Sequence, residues 1–166
     1  MMSRSTTGLA ILAALALAGC NKAPSAVPTE AQQTADALTG DAAGDASTNA
    51  ACKNFTVAEI AGYAGTPVNA GENAAMGTGC QWAARNDHGF VMVQVVPAKD
   101  HNPTSGAPGY RELSDVGTDG FIVPDNEGGS AGAIQGDKSV NIMITTGAAE
   151  ANVLAFLREA LKRTSA

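Results

Sequence analysis

Few side chains in this 166-residue chain are equipped for chemistry, and they are scattered. Two acid–base pairs stand out, Asp87-His88 and Asp100-His101. Neighbours on an extended chain point to opposite faces, so neither pair is a dyad by spacing. A serine nucleophile would need one of these histidines within hydrogen-bond reach. Ser105, Ser114 and Ser130 are the candidates, and none lies in a Gly-x-Ser-x-Gly frame. Asp115, Asp119, Asp125, Glu127 and Asp137 offer the oxygen ligands that calcium takes. Their order does not follow an EF-hand loop, and turn aspartates commonly bond their own backbone. There is no phosphate loop, and Gly62, Gly65 and Gly71 do not follow a strand in the dinucleotide-binding frame. We therefore assign no catalytic residue, no metal ligand and no cofactor. The remaining reactive atoms are three thiols, at Cys20, Cys52 and Cys80.

Cys20 closes a stretch with the features of an export signal. Arg4 gives it a positive start, and Leu9 to Ala18 is an apolar run of ten residues. A spanning helix needs roughly 20. Leu17-Ala18-Gly19-Cys20 resembles the bacterial lipobox, in which small residues precede a cysteine. The resemblance implies that residues 1–19 are a lipoprotein signal peptide and that the Cys20 thiol receives a diacylglycerol. Two or three acyl chains anchor stably where one binds only marginally. Asn21, rather than aspartate, follows the cysteine. By the same resemblance, the destination in a Gram-negative host is the periplasmic face of the outer membrane. The competing reading is an ordinary secretory signal with Cys20 incidental.

Residues 20–50 then form a tether. Asn21 to Ala50 is built from Ala, Thr, Ser, Asp, Gly, Gln and Pro, with Val27 and Leu38 as its only large apolar residues. Such a segment cannot bury enough apolar surface to offset its ordering entropy, so disorder is expected. A helix over Thr29–Leu38 is the alternative, since alanine favours helix. The folded part is a single domain over residues 51–166, with eight basic and twelve acidic side chains. The whole chain carries −6, and loss of Arg4 with the signal makes the mature charge −7. This acidity argues against a nucleic-acid partner, which would demand a basic patch. The hydrophobic fraction of 45% is inflated by alanine, and aromatic residues are only 4% of the chain, so the core is modest.

The elements that must position these groups read as α+β. Thr56-Val57-Ala58-Glu59 is a capping box, opening a helix that buries Val57, Ile60, Ala61 and Ala64. Gly65 and Pro67 stop it. Pro67–Ala70 is a short extended piece, and Gly71–Gly77 is loop. Strands are expected over Gly79–Ala84, Phe90–Val96, Gly120–Pro124, Ser130–Gln135 and Ser139–Thr145. Phe90–Val96 is apolar on both faces, which marks a central strand. Pro97–Pro108 is a long polar loop, and Tyr110–Leu113 a turn or helical piece. A closing helix over Ala148–Arg163 carries an apolar stripe of Val153, Leu154, Phe156, Leu157, Ala160 and Leu161. Arg158, Lys162 and Arg163 suit its C-terminal dipole, and a binding patch is the alternative. Hairpin-like turns favour an antiparallel sheet of five or six strands, with an N-terminal and a C-terminal helix packed on one face.

With Cys20 lipidated, Cys52 and Cys80 remain in an oxidising compartment, where a disulfide is the default. A redox or metal pair is the alternative, but there is no Cys-x-x-Cys, and His88 and His101 are the only histidines. Trp82 lies two residues after Cys80, so on a strand both side chains share a face. That places the indole over the disulfide, unless it is a surface-binding aromatic.

Several segments together resemble a family of small bacterial envelope lipoproteins of unknown function. They are Cys52 before a short helix, Gly65-Thr66-Pro67-Val68 at its end, and Gly79-Cys80-Gln81-Trp82. Leu113 to Phe121 follows a further pattern, Leu-x-x-Val-Gly-x-x-Gly-Phe. The resemblance covers most of residues 52–166 and implies the disulfide and the α+β outline, but no catalytic residue. Asn126–Gly132, rich in glycine, departs from it.

Two functional classes follow. One is a non-catalytic envelope binding module that recognises a protein, peptide or glycolipid through its sheet or its long loops, above all Pro97–Pro108. The other is a carrier that holds a small apolar ligand between helix and sheet. Both place the chain at the membrane through its lipid anchor, and an enzyme ranks third.

Overall fold

The computed structural model describes residues 46–165. Cys20, residues 1–19 and most of the expected tether therefore lie outside the described residues. The described part begins with a turn at Ala46, followed by a single-turn helix, α1 (Ala50–Lys53), then α2 (Val57–Ala64). The capping box is present: Thr56 Oγ1 accepts from the Glu59 amide, and the Glu59 carboxylate accepts from the Thr56 amide. Gly65 ends α2 in the left-handed region at φ 68°.

Seven strands follow: β1 (Glu72–Ala74), β2 (Gly79–Ala83), β3 (Phe90–Pro97), β4 (Arg111–Leu113), β5 (Thr118–Asp125), β6 (Gly128–Gln135) and β7 (Lys138–Ile144). They make one antiparallel sheet in the order β1-β2-β3-β7-β6-β5-β4. The chain ends in α3 (Glu150–Thr164). The α+β class and the antiparallel sheet match the sequence reading, and β3 lies inside the sheet as its two apolar faces require.

Two details are corrected. Among the described residues the sheet has seven strands instead of five or six, and the α-helices number three instead of two. The additional strands are β1, inside the expected Gly71–Gly77 loop, and β4, inside the expected Tyr110–Leu113 turn. Each has three residues and lies at a sheet edge, where register with β2 or β5 supplies the pairing that local sequence does not. Short, charged edges also discourage pairing with other chains. Pro67–Ala70, expected as a short extended piece, makes a single antiparallel bridge from Val68 to Ala84. β6 begins at Gly128, two residues before the expected Ser130. There Gly128 and Gly129 have φ of 135° and 140°, and a Cβ on either would strike a neighbouring strand's carbonyl.

Register explains where the core sits. On one face, Cys80, Val93, Ile142, Ala131 and Ile122 are consecutive partners across five strands. All are buried, and α2 and α3 pack on them through Ile60, Ala64, Val153, Phe156, Leu157 and Leu161. Leu154 lies at the margin of that stripe, and Val57 is exposed, contrary to the expected α2 face. One residue along each strand, Gln81, Met92, Met143, Ser130 and Val123 form the matching row on the opposite face. None of the described α-helices packs on that outer face, where Ser139 is buried beneath His101.

Candidate functional site

Cys52 and Cys80 are joined by a disulfide, with Cα atoms 5.1 Å apart. It ties α1 to β2. Trp82 is buried beside it: a Cβ on Gly71 would lie 2.6 Å from the indole Nε1 and 2.7 Å from Cys80 Sγ. The indole thus belongs to the core. Phe55 packs edge-on between Trp82 and Phe156, with centroid distances of 6.3 and 5.1 Å.

The expected acid–base groups separate. Asp87 and His88 are exposed in the β2–β3 turn, where the His88 amide donates to Asn86 Oδ1. Asp100 is exposed in a short 3₁₀ turn after β3. His101 is different. Its Nδ1 lies 2.8 Å from Ser139 Oγ, and its Nε2 lies 3.1 Å from the Asp119 carbonyl oxygen. That carbonyl can only accept, so Nε2 carries the proton and Nδ1 accepts from the Ser139 hydroxyl. Asn141 Nδ2 donates to the same hydroxyl at 3.2 Å. Sequence reasoning sought a partner among Ser105, Ser114 and Ser130 and missed Ser139. The available signal was Ser139's place on the polar side of an alternating strand.

Chemically this is a latch. Ser139 is fully buried, so no substrate carbonyl reaches its Oγ. Both His101 nitrogens are committed, which leaves no free lone pair for proton abstraction. The bonds pin the start of the Pro97–Pro108 loop onto β7 and β5. His101 and Tyr110 both pack on Phe121, at 5.8 and 6.0 Å, the tyrosine nearly parallel to it at 19°. Phe121 in turn lies over Gly132, where any Cβ would come within 2.7 Å of its ring.

Between this loop and the β4–β5 hairpin runs a groove of about 630 Å³, lined by Pro103, Tyr110, Glu112, Leu113 and Asp119 among others. It offers an aromatic ring, an apolar floor and two carboxylates. A second groove of about 650 Å³ lies where the chain enters, between Asn49, Val95, Lys138 and Arg163. There the Arg163 guanidinium is already engaged by Glu59, Glu159 and the Asn54 carbonyl, and it stacks 4.5 Å from the Phe55 ring. Hydrogen bonds from Arg163 and from Thr56 hold the Glu59 carboxyl down to about 2. Arg163 is therefore a clamp between helices.

No protein-family model matches the sequence, and no curated protein matches it.

The carboxylates with oxygen ligands suited to calcium also disperse. Asp115 pairs with Arg158 at 2.8 Å, and Asp125 Oδ1 accepts from the Glu127 amide. Among the described residues, no three His, Cys, Asp or Glu side chains gather to hold a metal ion. Nor is any described helix long and apolar enough to cross a membrane.

Proposed function

We propose that this chain is a lipid-anchored envelope protein whose domain binds a partner without catalysis, through the groove under the Pro97–Pro108 loop. In a Gram-negative host its place is the periplasmic face of the outer membrane, with Cys20 as the acylated residue. The observation that carries this reading is the latch: His101, Ser139 and Asp119 fix a polar loop over the sheet, giving a groove with preset walls. Preset walls lower the ordering cost of binding. The occupant best suited to Tyr110, Leu113 and the carboxylates is a short peptide segment of an envelope protein. The lipobox resemblance supplies the anchor, and the acidic balance of the folded part, twelve acidic against eight basic side chains, disfavours nucleic acid. The carrier reading is weaker, because the layer between helices and sheet is filled. Trp82, Ile60, Phe156 and Leu157 there are at most 1% exposed.

The test has two arms. Labelled palmitate should enter the full chain and be lost with Cys20→Ala, which should also release the protein from membranes. A photo-crosslinker in place of Tyr110 should capture a discrete envelope partner in cells, while one at exposed Ala155 on α3 should not. Equal labelling from both positions, or none from Tyr110, would remove the binding-module reading.

A further inference from the structure

The groove between the latched loop and the β4–β5 hairpin has a one-sided charge. Its lining holds two carboxylates, Glu112 and Asp119, and no basic side chain. Both residues are exposed, and among the described residues neither carboxylate has a hydrogen bond or an ion pair. The nearby cations turn elsewhere. Arg111, next to Glu112 in β4, points to the opposite face and pairs with Glu150 of α3 at 2.6 Å. Arg158 pairs with Asp115 at 2.8 Å. Two negative charges thus stand uncompensated in one groove, on a folded part that is itself acidic.

Fixed structure surrounds both carboxylates. Glu112 pairs in register with Phe121, so it shares the face on which Tyr110 packs against Phe121. Tyr110 is only half-buried there and lines the groove. Asp119 stands in the left-handed region at φ 51°, and its carbonyl accepts from His101 Nε2 at 3.1 Å. The latch that fixes the loop therefore also fixes the backbone presenting this carboxylate. Pro103 and Leu113 supply apolar wall.

We propose that this groove, taken as the peptide site described above, selects a segment carrying a lysine or arginine side chain beside an apolar one. Charge complementarity chooses the cation. An acidic segment is repelled by both carboxylates and by the field of the domain, whereas a basic one is steered in by that field. The ring of Tyr110 adds attraction for a cation over its face. The stem of a lysine or arginine is itself apolar, so it can lie along Pro103 and Leu113 while its head meets the carboxylates. A metal ion fits less well, since two carboxylates fall short of the six to eight oxygens that calcium takes.

The full chain, purified from membranes in detergent and isotope-labelled, tests this by backbone-amide NMR titration. The probes are two blocked pentapeptides of alanine and leucine that differ only in the central residue, lysine in one and its neutral isostere norleucine in the other. The lysine peptide should shift the amides of residues 110–120 and bind about fivefold or more tightly than the norleucine peptide. Raising salt from about 0.05 to about 0.5 M should erase most of that ratio. Glu112→Gln combined with Asp119→Asn should bring it near one. Both positions are exposed, and asparagine tolerates the left-handed backbone at 119. Glu127→Gln, at an exposed position in the β5–β6 turn, should preserve the ratio. If both peptides shift the groove equally in the parent chain, the cation selection is overturned and the groove reading stands. A ratio lost equally with Glu127→Gln also overturns it, since the attraction then belongs to the acidity of the whole domain. Shifts from calcium chloride with none from the lysine peptide would give the site to a metal and overturn it. No shift from either peptide up to about 10 mM overturns it as well, and the Tyr110 crosslink then decides the groove reading separately.

Discussion

Arg163, in the last turn of α3, bonds Glu59 in the first turn of α2 at 2.7 Å, across more than a hundred residues of sequence. The same guanidinium donates to Glu159 and covers the Phe55 ring. One side chain thereby closes the helical layer at the end where the chain enters. Arg163→Ala removes these hydrogen bonds and the stacked surface together. Thermal unfolding should fall by roughly 5–10 °C. Arg158→Ala, whose pair with Asp115 is exposed on both sides, should change it little.

Acid should act through the same pair. Glu59 titrates near 2 in the fold against an ordinary 4.5. A depressed carboxyl stabilises the fold above its unfolded value and loses that contribution as pH falls through the folded one. The Arg163–Glu59 contribution is thus complete above about pH 5 and gone near pH 2. Melting curves from pH 6 to pH 2 should fall less steeply for Glu59→Gln than for the parent chain.

Removing the disulfide by Cys52→Ala with Cys80→Ala should cost about 3–4 kcal/mol, as expected for a closed loop of this length. Urea unfolding of the full chain measures it. An equal midpoint for parent and variant would refute a stabilising role.

Two glycines make a paired prediction. Gly71→Ala drives a methyl into Trp82 and Cys80 Sγ and should destabilise by about 1–3 kcal/mol, with altered tryptophan emission. Gly62→Ala adds a methyl to exposed helix with nothing within 4 Å. It should stabilise by about 0.5–1 kcal/mol.

Ser139→Ala leaves His101 Nδ1 and the Asn141 amide without their shared hydroxyl. The cost should be about 1–3 kcal/mol. The more specific consequence is local: limited proteolysis should begin within Pro103–Pro108, before global unfolding, only in the variant.

The parts legible in the sequence were those with local causes. Thr56 and Glu59 cap a helix from within four residues, and the α3 stripe buries Val153, Phe156, Leu157 and Leu161 as its spacing requires. The interior strands were legible because β-branched alternation marks them. β1 and β4 were not, because Glu72-Asn73-Ala74 and Arg111-Glu112-Leu113 have no such pattern and are strands only through β2 and β5. The site was half legible. The Pro97–Pro108 loop stood out by composition, and His101 by type. Ser139 did not, because 38 residues and a sheet crossing separate it from the imidazole it meets. Arg163 looked like dipole compensation, and its reach to Glu59 depends on how α3 crosses α2.

The bond between Cys52 and Cys80 also sets a path for mechanical load. A pull on the chain from its N-terminal side first meets Asn49, whose side chain holds Asn73 and the Gly77 and Gly79 carbonyls. If those hydrogen bonds yield, only the few residues up to Cys52 can pay out. Beyond that point tension bypasses α2 and passes through sulfur into β2, which is laced on both sides to β1 and β3. Strand ladders resist such loading far better than a short helix that can peel turn by turn. The crosslink therefore works as a shear pin, keeping the sheet and the groove in shape while the N-terminal side of the chain is pulled.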